Sequence, residues 1–292
     1  MSESTIPARH APVTTAPRSE QAPDAVAADA APPRPARARV ARLGGTARPL
    51  LSIGLALLVW EVTYRLQLFS PSVLPSPADV VLAARTMAAD GTLWTDLYWS
   101  ARRAVLGFAL GSTLGVGAGL LTARSRTASA LLEGTLQTIR PIPAIALVPL
   151  AIMWFGLGEE SKLFLVTVGV FFPVWITAHS GIGNTRADYL RVAQCMGASR
   201  FLTLTRVVLP AALPYILAGL RVGIATAFIL IVASEMTGAT AGLGFRLDQA
   251  RLFSQADRLF VCLVLLGLLG AAVDQLFHRV TAPLARWTRD QA

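Results

Sequence analysis

An all-α integral membrane fold of about six transmembrane helices with a cytoplasmic helical loop is what this 292-residue sequence predicts, and three observations carry that expectation. Apolar residues make up 54% of the chain, and the mean hydropathy is +0.55. Charged residues make up 15%, against the ~25% of an ordinary soluble domain. The apolar residues also fall in long runs. A hydrocarbon layer of about 30 Å takes about 20 helical residues to cross, and six such runs lie near 50–66, 104–123, 141–157, 163–180, 213–236 and 259–277.

The first element is not a span. Residues 1–47 are rich in Ala, Pro and Arg, without an apolar run or a periodicity, and are expected to form a disordered cytoplasmic tail. A secretory leader needs an apolar core near the start, which this stretch lacks. Glu3, Glu20, Asp24 and Asp29 argue against an organelle transit peptide. A membrane domain over 48–287 follows, and 288–292 forms a short cytoplasmic end.

Within the first span Glu61 stands one turn before Arg65, either as a helix-surface pair or with a part in transport. The second carries Gly111, Gly115 and Gly119 at four-residue spacing, which bares one helix face for close packing, within a bundle or across a dimer. Arg140-Pro141-Ile142-Pro143 opens the third, where two prolines remove backbone donors and distort the helix entry. A turn over Gly156-Leu157-Gly158-Glu159-Glu160-Ser161 separates the third from the fourth.

In the fifth, Arg221 marks where an apolar run of about 29 residues crosses the inner headgroups. Glu235 ends that run as a gate or dimer contact, or as a solvated helix end. In the sixth, Asp274 is placed to pair with His278 one turn on.

Orientation follows from the bases. With the N-terminus inside, the cytoplasmic segments hold Arg37, Arg39, Arg42 and Arg48, then Arg124 and Arg126, then Arg186, Arg191, Arg200 and Arg206, then Arg279, Arg286 and Arg289. The other face receives Asp79, Asp90, Asp96, Glu159 and Glu160, with Arg85, Lys162 and a mixed-charge loop over 245–258. That distribution obeys the positive-inside rule. Arg102 and Arg103 are its exception, expected to snorkel into the outer headgroups.

The net charge of +9 thus reads as membrane-flanking rather than nucleic-acid-binding, and Lys162 is the only lysine. Cys195 and Cys262 read as small apolar residues. His10, His179 and His278 are too far apart in sequence to suggest a metal site, and no cofactor is expected.

The loop over 184–210 is the most informative stretch. Asp188 is placed to cap a short helix whose Tyr189, Val192, Ala193 and Met196 form one apolar stripe. Gly197 stops that helix, and Ser199 caps a second piece over 200–208. Leu209-Pro210 then turns the chain toward the membrane. A two-turn helix outside the bilayer is weak alone, so its stripe calls for a partner.

The run Ala193-Gln194-Cys195-Met196-Gly197-Ala198-Ser199, followed by Leu209-Pro210, resembles the Glu-Ala-Ala loop of the membrane subunit of bacterial ATP-binding-cassette importers. In that motif the triplet precedes a glycine and a Leu-Pro pair follows. Here Arg191 and Val192 replace the first two triplet residues and Ala193 keeps the third.

Outside the loop, Leu74-Pro75-Ser76-Pro77, Arg140-Pro141-Ile142-Pro143, Trp154-Phe155-Gly156-Leu157-Gly158, Phe171-Phe172-Pro173, Gly219-Leu220-Arg221, Ala233-Ser234-Glu235-Met236 and Gly242-Leu243-Gly244 resemble the nitrate, sulfonate and taurine branch of these permeases. The resemblance covers about residues 50 to 287. It implies a homodimeric inner-membrane permease, embedded in lipid, that binds a cytoplasmic ATP-binding subunit through Asp188, Tyr189, Val192, Ala193, Met196, Gly197, Ala198, Ser199, Leu209 and Pro210. A periplasmic solute-binding protein would deliver a small solute, with alkanesulfonate, taurine or nitrate as first choices. Arg140, Pro141, Pro143, Trp154, Phe155, Glu235 and Met236 are then the candidates for a translocation path or gate.

The chain itself is not expected to hydrolyse ATP. A phosphate cradle needs Gly-Lys-Ser/Thr, whereas Lys162 lies between Ser161 and Leu163. An intramembrane enzyme would need paired carboxylates, a Ser/His pair or a metal motif within the spans, and none is legible. A secondary transporter working without an ATPase is the rival reading. Such folds favour inverted halves, and residues 50–157 and 163–280 do not match in that way.

Overall fold

The computed structural model describes residues 47–283. The chain divides into two units, Met1–Leu51 and Ser52–Ala292, and the architecture below is that of the second. The expected tail over 1–47, but for its last residue, and the expected end over 288–292 lie outside the described residues.

Ten helical elements run through the described residues. They are α1 (Ala47–Arg65), α2 (Pro77–Ala89), α3 (Thr92–Arg124), α4 (Arg126–Ile139), α5 (Ala144–Phe155), α6 (Glu159–Gly183), α7 (Ala187–Cys195), α8 (Arg200–Met236), α9 (Leu243–Leu252) and α10 (Ala256–Thr281). No strand occurs among the described residues. Helices α3, α6, α8 and α10 are each long and apolar enough to cross a membrane, and α4 with α5 makes a fifth crossing if the bent pair counts as one. Helix α1, 19 residues long, occupies the first expected span. Its Ile53, Leu55 and Leu58 are all more than half exposed, and Trp60 is its anchor, donating to the Pro75 carbonyl at 3.0 Å and lying 5.2 Å from the Phe260 ring.

The core is a three-helix packing of α3, α6 and α8 around Ala104, Val166, Val170, Val174, Ala227, Leu230 and Ile231. The glycine stripe of α3 is seated on α6 of the same chain, which decides between the two readings of that stripe. A Cβ at Gly111 would stand 2.6 Å from the Thr167 carbonyl, at Gly115 2.9 Å from the Phe171 carbonyl, and at Gly119 2.6 Å from Ala178 Cβ. Gly115→Leu is therefore expected to force α3 and α6 apart and cost about 1–3 kcal/mol. Thermal unfolding in detergent checks this, with Gly117→Leu, where a Cβ meets nothing within 4 Å, left near wild type.

Four sequence expectations need correction here. The third span is shorter than expected, since α5 begins only at Ala144, after the distortion expected at Arg140–Pro143, and α4, which meets α5 there at 88°, was not foreseen. Pro141 and Pro143 remove two donors, and Pro143 itself is extended (φ −61°, ψ 125°), so the helix cannot run through. The second span starts earlier than expected, at Thr92, because its first turns bury polar residues that a hydropathy window rejects. The loop expected over 245–258 contains α9 instead.

The fourth correction concerns Leu209-Pro210, which does not turn the chain. Helix α8 runs unbroken from Arg200 to Met236, and a π turn over Leu204–Val208 accommodates the missing donor of Pro210.

Helix α2, also unforeseen, begins with a local signal that was readable. Ser76 Oγ accepts from the Asp79 amide at 3.0 Å, Asp79 accepts from the Ser76 amide at 3.1 Å, and Pro77 stands at the first helical position. Past its other end, the hydroxyl and amide of Thr92 donate to Asp90 at 2.6 and 3.0 Å and hold that carboxyl below its ordinary range.

Candidate functional site

Two places gather the residues singled out above, at opposite ends of α6 and α8. At one end the short α7 links them. Its N-cap is Arg186, which makes no side-chain cap bond, so Asp188 does not cap it. Asp188 lies instead between Arg186 and Arg191, at 3.6 and 3.9 Å.

The other end of α7 is built as expected from Gly197. With φ +71°, Gly197 donates to the Gln194 carbonyl at 2.9 Å, while the Ala198 amide donates to the Ala193 carbonyl at 3.0 Å. These two bonds are the Schellman closure of a helix. Two residues later Ser199 Oγ accepts from the Leu202 amide at 3.2 Å and starts α8. The result is a tight corner.

Ala193 is buried under that corner, whereas Tyr189, Val192 and Met196 are 45%, 56% and 81% exposed. Together with Leu202, Arg206 and Pro210 they line an open groove of about 990 Å³. Ala198 is half-buried and Ser199 exposed at the corner, with Leu209 half-buried on α8. Cys195, expected as a small apolar residue, is exposed here, while Cys262 is buried.

At the other end stands a buried charge cluster that the sequence did not announce. Glu235 is wholly buried and so is no solvated helix end. Its carboxylate accepts from Ser100 Oγ at 2.7 and 2.9 Å, from Arg103 Nη1 at 2.7 Å and from the Gly244 amide at 2.9 Å. Arg103 does not snorkel into headgroups either. It is 2% exposed and also donates to both oxygens of Glu159 at 2.7 Å and to the Ala241 carbonyl at 2.6 Å.

Asp96 extends the cluster, accepting from Arg246 Nε at 2.7 Å and from the Gly242 amide at 2.9 Å. Burial explains the pairing, since a charge in a low-dielectric interior persists only when its polar partners are supplied. The cluster ties α3, α6, α8 and α9 together. It also explains Gly242-Leu243-Gly244: a Cβ at Gly242 would stand 2.5 Å from the Glu235 carboxylate, and one at Gly244 2.7 Å from the Val232 carbonyl. The nearby Lys162 is buried too, its ammonium donating to the carbonyls of Leu157 and Gly158 at 3.0 and 2.8 Å.

The other charged residues in spans divide between agreement and correction. Glu61 and Arg65 pair at 2.6 Å as one of their two readings has it. Asp274 takes Arg221 rather than His278 as its hydrogen-bonding partner, with Nε and Nη2 both at 2.8 Å. Arg221 therefore clamps α8 to α10.

The path candidates are scattered. Arg140, Pro141 and Pro143 are exposed at the bend before α5, whereas Trp154 and Phe155 lie at its far end with rings 6.0 and 5.2 Å from Phe164. Met236 is half-buried beside Glu235. No single surface within one chain joins these seven residues.

Residues 111–286 match the family model described as binding-protein-dependent transport system inner membrane component. The aliphatic sulfonates transport permease protein SsuC of Bacillus subtilis is 34% identical over 89% of this chain and 93% of its own length. The taurine transport system permease protein TauC of Escherichia coli is 34% identical over 81% of this chain and 89% of its own length. Solved structures share the fold: a chain of the MetNI methionine ABC transporter in inward-facing conformations (TM-score 0.54, 21% identity, 65% of this chain and 95% of that one) and a chain of an amino acid ABC transporter with histidines (TM-score 0.55, 16% identity, 70% and 97%). Sequence and fold agree with these relatives, and the chain belongs to the family of binding-protein-dependent transport system inner membrane components, as the multi-pass permease subunit of an ATP-binding-cassette importer whose ATP hydrolysis resides on a separate subunit.

Proposed function

We propose that two copies of this chain form the passage for a small sulfonate anion, and that the corner over Ala187–Pro210 is where the ATP-binding subunit grips each copy. The observation that carries this reading is the exposed stripe of Tyr189, Val192 and Met196 at the junction of α6 and α8. Any displacement of that junction is delivered directly to two helices of the core. Closure of the ATP-binding subunits on nucleotide then rocks the core helices between inward-open and outward-open states.

The second copy is supported by packing. The α3–α6–α8 core is filled by α3 glycines against the backbone and valines of α6 and by Ala227, Leu230 and Ile231 of α8, which supports a solute path along a surface that another copy closes. The sulfonate follows from what the relatives are named for. An N-terminus in the cytoplasm follows from placing the Arg-rich corner inside.

The experiment is uptake into vesicles. Labelled taurine and a short alkanesulfonate are offered to vesicles holding this chain alone, or this chain with its ATP-binding subunit, a solute-binding protein and internal ATP. Accumulation at least tenfold above background is expected only in the complete system. Uptake by the chain alone, unaffected by ATP, would establish a secondary transporter instead.

A further inference from the structure

The cytoplasmic corner carries more positive charge than the chain balances. Between residues 186 and 206 stand Arg186, Arg191, Arg200 and Arg206, all exposed, and a single carboxylate, Asp188, which leaves a net charge of +3 (four bases less one acid). Asp188 is divided between two guanidiniums at 3.6 and 3.9 Å, too long for strong pairing, and Arg186 and Arg191 keep 69% and 76% of their side-chain surface in solvent.

The charges border the apolar stripe. The Arg186 guanidinium lies 5.3 Å from the centre of the Tyr189 ring, and Arg191 is adjacent in sequence to Val192, about 100° away around the helix. Arg191 also occupies the position at which the resembled motif has glutamate.

Lipid headgroups are poorly placed to supply the missing anions. The 37 residues of α8 span about 55 Å, against a hydrocarbon core of about 30 Å and a bilayer of about 40–45 Å with headgroups included. With its Met236 end at the outer boundary of the hydrocarbon, the corner at Arg200 stands well beyond the inner phosphates. That separation exceeds a Debye length of about 8 Å.

We propose that the surface of the ATP-binding subunit that covers this corner has an apolar floor for Val192 and Met196 and a rim of carboxylates facing Arg186, Arg191 and Arg200. This rests on the reading that the corner is where that subunit docks. It adds that the polar half of the contact has the subunit negative and the permease positive, so that charge steers the encounter while the stripe holds the complex.

The test is a titration of the full-length chain in nanodiscs with its purified ATP-binding subunit, at low and high salt. Wild type is expected to lose affinity as salt rises. Arg186→Glu with Arg191→Glu should bind about tenfold or more weakly at low salt and lose the salt dependence. Arg186→Gln with Arg191→Gln should fall between them, and Arg85→Glu, exposed on the far side, should match wild type. Exchanging rim carboxylates of the subunit for arginine should restore binding to the double reversal.

An unchanged affinity and salt slope in the double reversal would overturn the acidic rim while leaving the docking reading standing. So would a loss of binding to anionic vesicles with subunit binding intact. Absence of any subunit binding by wild type would overturn both.

Discussion

Glu235→Ala is expected to destabilise the protein by about 3–5 kcal/mol, the cost of removing one member of a buried pair and leaving the other charge uncompensated. The side chain, carried by α8, touches two other elements: Ser100 and Arg103 on α3, and the Gly244 amide on α9. Its loss orphans a hydroxyl, an amide and part of a guanidinium that is 2% exposed. Glu235→Gln keeps an acceptor oxygen and should recover part of the loss. Thermal unfolding in detergent reads the series, with Glu61→Ala as reference, because Glu61 pairs with an Arg65 side chain that is 76% exposed and should change stability by under about 0.5 kcal/mol. Equal melting of Glu235→Ala and Glu61→Ala would mean that the cluster does not hold these helices together.

Gly197→Val is the second large effect, and it falls on transport rather than on insertion. Its φ of +71° is costly for a β-branched residue, on the order of 1–3 kcal/mol, although a Cβ there meets nothing within 4 Å. The strain relaxes by opening the Schellman closure, which changes the angle between α7 and α8. ATP-driven uptake should fall at least tenfold while the protein still inserts and binds detergent as wild type does. Gly197→Asn, which tolerates the left-handed region, should retain most activity, and Gly197→Ala should lie between. Uptake by Gly197→Val equal to wild type would remove the corner from the coupling mechanism.

Both experiments address features that differ in how far they could be read from sequence. The corner was legible because its parts are local: an i, i+3, i+4, i+7 stripe, a glycine closure and a serine cap each act within eight residues. Asp188 was misread within that same stretch. Arg186 holds the N-cap position, and the Asp188 carboxylate, inside the first turn, faces the guanidiniums of Arg186 and Arg191 instead of the backbone amides. The charge cluster was not legible at all. Glu235 looked like the end of an apolar run, and Arg103 lies 132 residues before it.

The sequence by itself determined where the long apolar helices lie and how the corner closes at Gly197 and Ser199. Both depend on composition and on hydrogen bonds between near neighbours, and hydrocarbon excludes charge wherever a run is long enough. Only the tertiary structure decided which faces meet. It seated the glycine stripe of α3 on α6, gave Asp274 to Arg221 rather than to His278, and enclosed Glu235 with Ser100 and Arg103. Helical periodicity assigns a residue to a face, but the neighbour of that face is set by how all the helices pack at once. In low dielectric, that neighbour decides whether a charge is tolerated.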